Sequence, residues 1–254
     1  MSEQTKIEEL NWSEDRFLLK NLLFRLEHSK SDSWDGGEDY FMFYKTKYLV
    51  DEYADYLSRF PIQPGLKLFE LGIFDGGSTV FWNEILKPSK HVAADILDRE
   101  DSAYFKNYLE GMNNTADIKT FWRTNQADKS RLLQILFTEL GGTVDVIIDD
   151  ASHLYEPTLA SFEALFPFLS PNGVYILEDW PWEHWQGFGA PDHPWRNEES
   201  LTKLVTQFIE ATGSGSYMVS NVMVYRGFVV LRKSHQVIQD PFNFKLEEVI
   251  TRRR

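Results

Sequence analysis

The chain has 254 residues, 43% of them hydrophobic and 15% aromatic, enough to bury the core of one α/β domain with an extension. Its net charge of −13 argues against a nucleic-acid or anionic-membrane partner. It has no cysteine, so disulfides, thiolate catalysis and thiolate-bound metals are excluded, and any metal must use oxygen or imidazole donors. The first residues, MSEQTKIEEL, lack an apolar signal core and no stretch approaches 18 apolar residues, so a soluble, cytoplasmic protein is expected.

Residues 1–60 read as a helical extension. Ser13 suits an N-cap, Trp12 and Phe17 suit a hydrophobic staple, and Phe17, Leu22, Leu23 and Leu26 give a core-facing stripe. Residues 31–39 form a polar loop, and residues 40–44, Tyr-Phe-Met-Phe-Tyr, are an aromatic cluster expected to pack in the core rather than roof a pocket. Leu49, Tyr53, Tyr56, Leu57 and Phe60 recur at helical spacing, and Pro61 and Pro64-Gly65 close the region. The main domain, residues 61–254, follows.

There strand and helix signals alternate, which implies a parallel sheet flanked by helices. Strands are expected at 66–71, 91–96, 118–122, 144–148 and 174–177. Helices are expected at 79–86, 102–109, 129–140, from about Pro157 to Leu169, and from Leu201 to Ile209. Pro171-Asn172-Gly173 reads as a turn, and residues 217–224 and 228–232 as a closing antiparallel hairpin. The fold class is therefore α/β, Rossmann-like and mostly parallel.

Two loops carry the chemistry. Glu70-Leu71-Gly72-Ile73-Phe74-Asp75-Gly76-Gly77-Ser78 is a glycine-bearing strand-to-helix turn whose backbone can approach an anionic ligand. It lacks the dinucleotide spacing, which favours a smaller anion such as an amino-acid carboxylate. Asp95 ends the second strand, where an acid can accept bonds from ribose hydroxyls. The strand at 144–148 runs into Asp149, Asp150 and His153, and the strand at 174–177 into Glu178 and Asp179. As neighbours in a βαβ unit, both strands deliver these groups to one sheet edge, and crowded carboxylates are costly unless protonated, paired or bound to a cation. Four tryptophans, Trp180, Trp182, Trp185 and Trp195, then suggest a lid or substrate wall over about 180–199, against the alternative of a loop packed on the core.

These segments, FELGIFDGGST, ADI, NQAD, DDASH and LEDW, resemble the class I S-adenosylmethionine-dependent methyltransferases. Within that class they are most similar to the metal-dependent macrolide-sugar O-methyltransferases of the mycinamicin and macrocin type. The resemblance covers roughly residues 66–182. It implies that Asp150, Glu178 and Asp179 hold Mg²⁺ and that His153 is the general base. It further implies that Glu70, Gly72, Gly76, Gly77 and Ser78 hold the methionine part of S-adenosylmethionine and Asp95 its ribose. Gln126 and Asp128 fall on the segment near the adenine and the metal-site wall, with Asp149 completing the cofactor set. Asn125 and Ala127 depart from the family's pattern.

A sugar hydroxyl has a pKa near ~16, so an imidazole at ~6.5 falls about nine units short, roughly 12 kcal/mol. A divalent cation on the same oxygen would narrow that gap. The expected activity is Mg²⁺-dependent methylation of a hydroxyl on a small molecule, a sugar of a glycosylated natural product. The competing expectations are metal-independent methylation, with the acids structural, and a cofactor-binding partner protein without activity. Family resemblance also implies a homo-oligomer contacting through the N-terminal segment.

Overall fold

The computed structural model describes residues 7, 10–26, 39–111, 117–188 and 190–251. Its centre is a seven-stranded sheet. Five parallel strands, β5 (Lys67–Leu71), β6 (Lys90–Ala94), β7 (Asp117–Phe121), β8 (Val144–Asp149) and β9 (Leu169–Glu178), lie beside the hairpin of β10 (Val219–Val224) and β11 (Phe228–Lys233). The order is β10-β11-β9-β8-β5-β6-β7, with β11 antiparallel to β9. This is the mostly parallel sheet with a closing antiparallel hairpin that the alternating pattern predicts. The expected turn at Pro171–Gly173 instead lies within β9, whose pairing with β8 shifts register between Val144 and Val146.

Strand order reverses between β5 and β8, each continuing to a neighbour on its other side, and the crevice beyond the carboxyl ends at such a point is where open α/β sheets bind ligands. The period of two in each strand sorts side chains onto two faces. Phe69, Leu71, Ile147, Tyr175 and Leu177 pack in one core, with residues of α4 (Lys129–Leu140), α5 (Tyr155–Leu165) and α6 (Leu201–Gly213). Leu68, Val146, Ile148, Val174 and Ile176 pack in the other, with residues of α1 (Lys47–Arg59), α2 (Gly77–Leu86), α3 (Ala103–Gly111) and the N-terminal segment.

The N-terminal segment differs from the helix expected. Residues 11–43 contain a second sheet, β1 (Asn11–Ser13), β2 (Arg16–Leu19), β3 (Leu22–Leu26) and β4 (Phe41–Phe43), in that order. Among the described residues of 1–60, α1 is the α-helix, capped by Thr46, whose side chain accepts from the Leu49 N–H. Ser13 ends a strand and caps nothing helical. Trp12 and Phe17 face each other across the β1–β2 ladder with ring centroids 4.8 Å apart, a cross-strand pair rather than a staple. Phe17, Leu19, Phe24 and Leu26 are buried at alternate positions, so the apolar set has the period of a strand. Residues 27–38, with all but the last residue of the loop predicted at 31–39, lie outside those described.

Candidate active site

The reversal point brings the two loops into contact. The Asp150 N–H donates to Leu71 O at 2.9 Å, and Gly72, at φ +97°, passes so near that a Cβ there would sit 2.1 Å from Asp150 O. Only glycine fits this position. The cleft above has a volume of about 560 Å³ and runs from Gly72, Ser78 and Asp95, past Gln126, to Asp150, His153 and Asp179.

At its acidic end, donor atoms of Asp150, His153 and Asp179 all lie within 4.8 Å of one another, the geometry of a cation site. His153 Nε2 is 3.8 Å from Asp150 Oδ1. His153 and Asp179 hold φ of +56° and +52°, and Phe74, on the same cleft wall, +53°. Left-handed backbone at non-glycine residues is costly and persists where its surroundings enforce it, commonly at ligand sites. Burial raises the Asp179 carboxyl above its usual range, with Asp150 adding to the rise while His153 and Lys45 oppose it. A carboxyl pushed up by burial and by a like charge is one a cation would stabilise, so the donor set fits a hard divalent ion.

Glu178 stands apart from that trio. It shares the parity of Val174 and Ile176, so it points to the α1–α2 face, and its side chain is 1% exposed. Lys45 Nζ donates to Glu178 Oε2 at 2.5 Å and to Asp150 Oδ2 at 2.6 Å, and the Tyr53 hydroxyl donates to Glu178 Oε1 at 2.9 Å. Burial, then the Asp150 charge, push Glu178 up to about 8 against the pull of Lys45, and those carboxylates hold the buried Lys45 above its ordinary value. The N-terminal segment thus supplies side chains to this site.

The cofactor residues expected from the sequence divide in two. Gly72, Ser78, Asp95 and Gln126 line the cleft. The Asp95 carboxylate accepts from the N–H groups of Ile73, Phe74 and Leu97, which fixes the turn after β5. Glu70, Gly76, Gly77 and Asp149 do not line the cleft. Glu70 is buried on the α2 face, where it accepts from Ser78 Oγ at 2.5 Å and meets His91 Nε2 at 3.1 Å. Gly76 is the left-handed N-cap of α2. Gly77 lies under β4, where a Cβ would sit 1.9 Å from Met42 O. Asp149 shares the parity of Ile147 and so turns under α5. It accepts there from Gln126, Ser161 and Tyr175, and burial raises its carboxyl. Gln126 also accepts from the Ser152 N–H at 2.8 Å, linking Asp149 to the loop that carries Asp150 and His153.

Asp128 is the N-cap of α4, accepting from the Arg131 N–H at 3.0 Å. In the aromatic cluster Phe41, Met42 and Phe43 are buried as expected, while Tyr44, 46% exposed, stands on the cleft wall edge-on to Phe74. The tryptophans of 180–199 do not line the cleft. Trp182 is buried against Trp195 and Phe188 and donates to His153 O at 2.7 Å, so the segment is a packed loop bracing the histidine. Sequence reasoning missed Lys45 and Tyr53. Lys45 lies among solvated-looking neighbours, and Tyr53 read only as part of a helix stripe.

Residues 69–180 match the family model described as a methyltransferase domain. Over 153 residues the chain is 37% identical to the demethylmacrocin O-methyltransferase of Streptomyces fradiae, covering 58% of this chain and 35% of that protein. The mycinamicin VI 2''-O-methyltransferase of Micromonospora griseorubida is 28% identical over the same length and shares. The chain thus spans about a third of the curated relatives it matches. Among solved structures, the MycE methyltransferase of the mycinamycin pathway, in complex with Mg, SAH and mycinamycin VI, superposes with a TM-score of 0.56 at 23% identity. The superposition covers 76% of this chain and 51% of that one. These matches bear out the resemblance to the class I S-adenosylmethionine-dependent methyltransferases of the mycinamicin type, and the fold with it.

Proposed function

We propose, for a chain whose residues 69–180 match a methyltransferase domain of the class I fold, that it transfers a methyl group from S-adenosylmethionine to a sugar hydroxyl of a glycosylated small molecule. The reading further includes a divalent cation, Mg²⁺, at the acidic end of the cleft. One observation carries it: carboxylate oxygens of Asp150 and Asp179 converge with a His153 ring nitrogen within 4.8 Å, in the same cleft as Gly72, Ser78 and Asp95, so a cation held by the two carboxylates would lie beside the histidine. The names of the relatives, which act on macrolide and tetracenomycin sugars, support the acceptor class.

In this reading Gly72, Ser78 and the turn fixed by Asp95 bind the cofactor. Its sulfonium supplies an electrophilic methyl group. Asp150 and Asp179 hold the cation, which when bound lowers the pKa of an adjacent hydroxyl. His153 accepts the hydroxyl proton at Nε2, its ring braced by Trp182 on the backbone and by Trp195, whose ring centroid is 6.2 Å away. Positioning of hydroxyl and methyl in line within the cleft is the protein's main contribution.

A second reading, metal-independent methylation, is favoured by one observation: Lys45 already neutralises part of the acidic cluster. Treatment with EDTA separates the two. Loss of turnover that Mg²⁺ restores supports the cation reading, and turnover indifferent to EDTA supports the second. His153→Ala should abolish turnover while leaving S-adenosylhomocysteine affinity nearly unchanged; equal losses in both would contradict its role as base.

A further inference from the structure

We infer that Lys45 is the resident counter-ion of the acidic site and withholds Glu178 from any divalent cation bound there. The inference rests on the cation reading proposed above. Lys45 places one ammonium between Asp150 Oδ2 and Glu178 Oε2, at 2.6 and 2.5 Å, with its side chain 2% exposed. Tyr53 takes the other Glu178 oxygen. Both oxygens of Glu178 are thus engaged on the α1 side. The carboxylates that remain open toward the cleft are Asp150, through Oδ1, and Asp179.

Charge counting agrees. Asp150, Glu178 and Asp179, when ionised, carry −3, and Lys45 brings the cluster to −2, which one divalent ion neutralises. Without the ammonium the same cluster would keep a net charge of −1 with the ion bound, and it would offer three carboxylates to it. Lys45 therefore lowers the attraction for a cation twice over, by repelling it and by occupying a ligand.

The ammonium is held in place by the backbone on both sides of it. The Met42 N–H donates to Asp75 Oδ2 at 3.2 Å, and Met42 O rests on Gly77. On the other side Thr46 caps α1, and α1 is clamped where Glu52 accepts from the N–H groups of Arg226 and Gly227, both at 3.0 Å. Withdrawing Lys45 would require β4 or α1 to leave its seat. It is a positioning residue, fixing how many carboxylates the cation meets.

Mn²⁺ titration of the full chain, followed by electron paramagnetic resonance without cofactor or acceptor, tests this. Lys45→Met should bind Mn²⁺ on the order of tenfold or more tightly than the unaltered protein, by loss of one nearby charge and gain of one ligand. Lys45→Arg should stay weak, because it keeps the charge. Lys45→Met combined with Glu178→Gln should return close to the unaltered affinity, which a merely structural role for Lys45 would not produce. If Lys45→Met fails to fold by circular dichroism, Lys45→Gln takes its place. Unchanged or weaker Mn²⁺ binding in the folded variant overturns the inference and leaves the cation reading intact. Absence of Mn²⁺ binding in every protein overturns both.

Discussion

Gln126 separates two accounts of one residue. The family resemblance puts it near the adenine and the metal-site wall; its amide, 6% exposed, spans Asp149 and the Ser152 N–H, the tether on the metal-site side. Gln126→Ala removes the amide's donation to a buried carboxylate, worth about 1.5–3 kcal/mol, its 3.2 Å contact with Ser161 Oγ, and the bond from the Ser152 N–H, about 1 kcal/mol. Asp149 keeps Ser161 and Tyr175 as donors, so no orphaned charge adds to the cost. The expected loss is about 3 kcal/mol, which lowers Tm by roughly 6–12 °C for a chain of this size. Gln126→Glu should cost more, because a second carboxylate then faces Asp149, and its penalty should ease on going from pH 8 to pH 5. Urea unfolding followed by tryptophan fluorescence measures the stability, and calorimetry with S-adenosylhomocysteine measures the cofactor. A stability loss under about 1 kcal/mol together with a large loss of cofactor affinity would refute the tethering role and restore the adenine contact.

Gly77→Ala should destabilise by about 1–3 kcal/mol, because its Cβ meets the Met42 carbonyl at 1.9 Å and backbone cannot yield cheaply. Denaturant unfolding checks it, and an unchanged midpoint would mean that β4 does not press on α2. Phe17→Ala should cost about 3–5 kcal/mol, whereas Leu18→Ala, at a residue 40% exposed, should cost little. Comparable losses in both would contradict the strand register. With divalent cations removed, Tm should fall as pH rises from about 5 toward 8. The folded pKa of Glu178 is raised to about 8 by burial and by Asp150, so between its ordinary value and 8 the folded state binds more protons than the unfolded one. A thermal series in EDTA checks this; a Tm that rises over that window would refute it.

The central sheet was legible because buried parallel strands are continuous apolar runs bounded by turns, as in residues 174–177. The N-terminal sheet was not. Its hairpins turn through Glu14-Asp15 and Lys20-Asn21, with Glu14 and Lys20 at φ of +36° and +58°, where an Asn-Gly or Asp-Gly pair would have announced them. Without that signal, Phe17, Leu22, Leu23 and Leu26 fit a helical stripe as well as a strand. The clustering of Asp150, His153 and Asp179 followed from strand ends in one βαβ unit. The directions of Asp149 and Glu178 were also within reach: counting by twos from Ile147 and Ile176 sends them to opposite faces, Asp149 under α5 and Glu178 toward α1 and Lys45. Lys45 carried no local signal, since the carboxylates it meets, Asp150 and Glu178, lie 105 or more residues further along the chain.

The most direct test is mass spectrometry of glycosylated macrolides incubated with the protein and S-adenosylmethionine, with Mg²⁺ or with EDTA. The account predicts a product heavier by one methyl group, formed with Mg²⁺ and lost both in EDTA and in His153→Ala. Equal product in EDTA, or in the histidine variant, would contradict it.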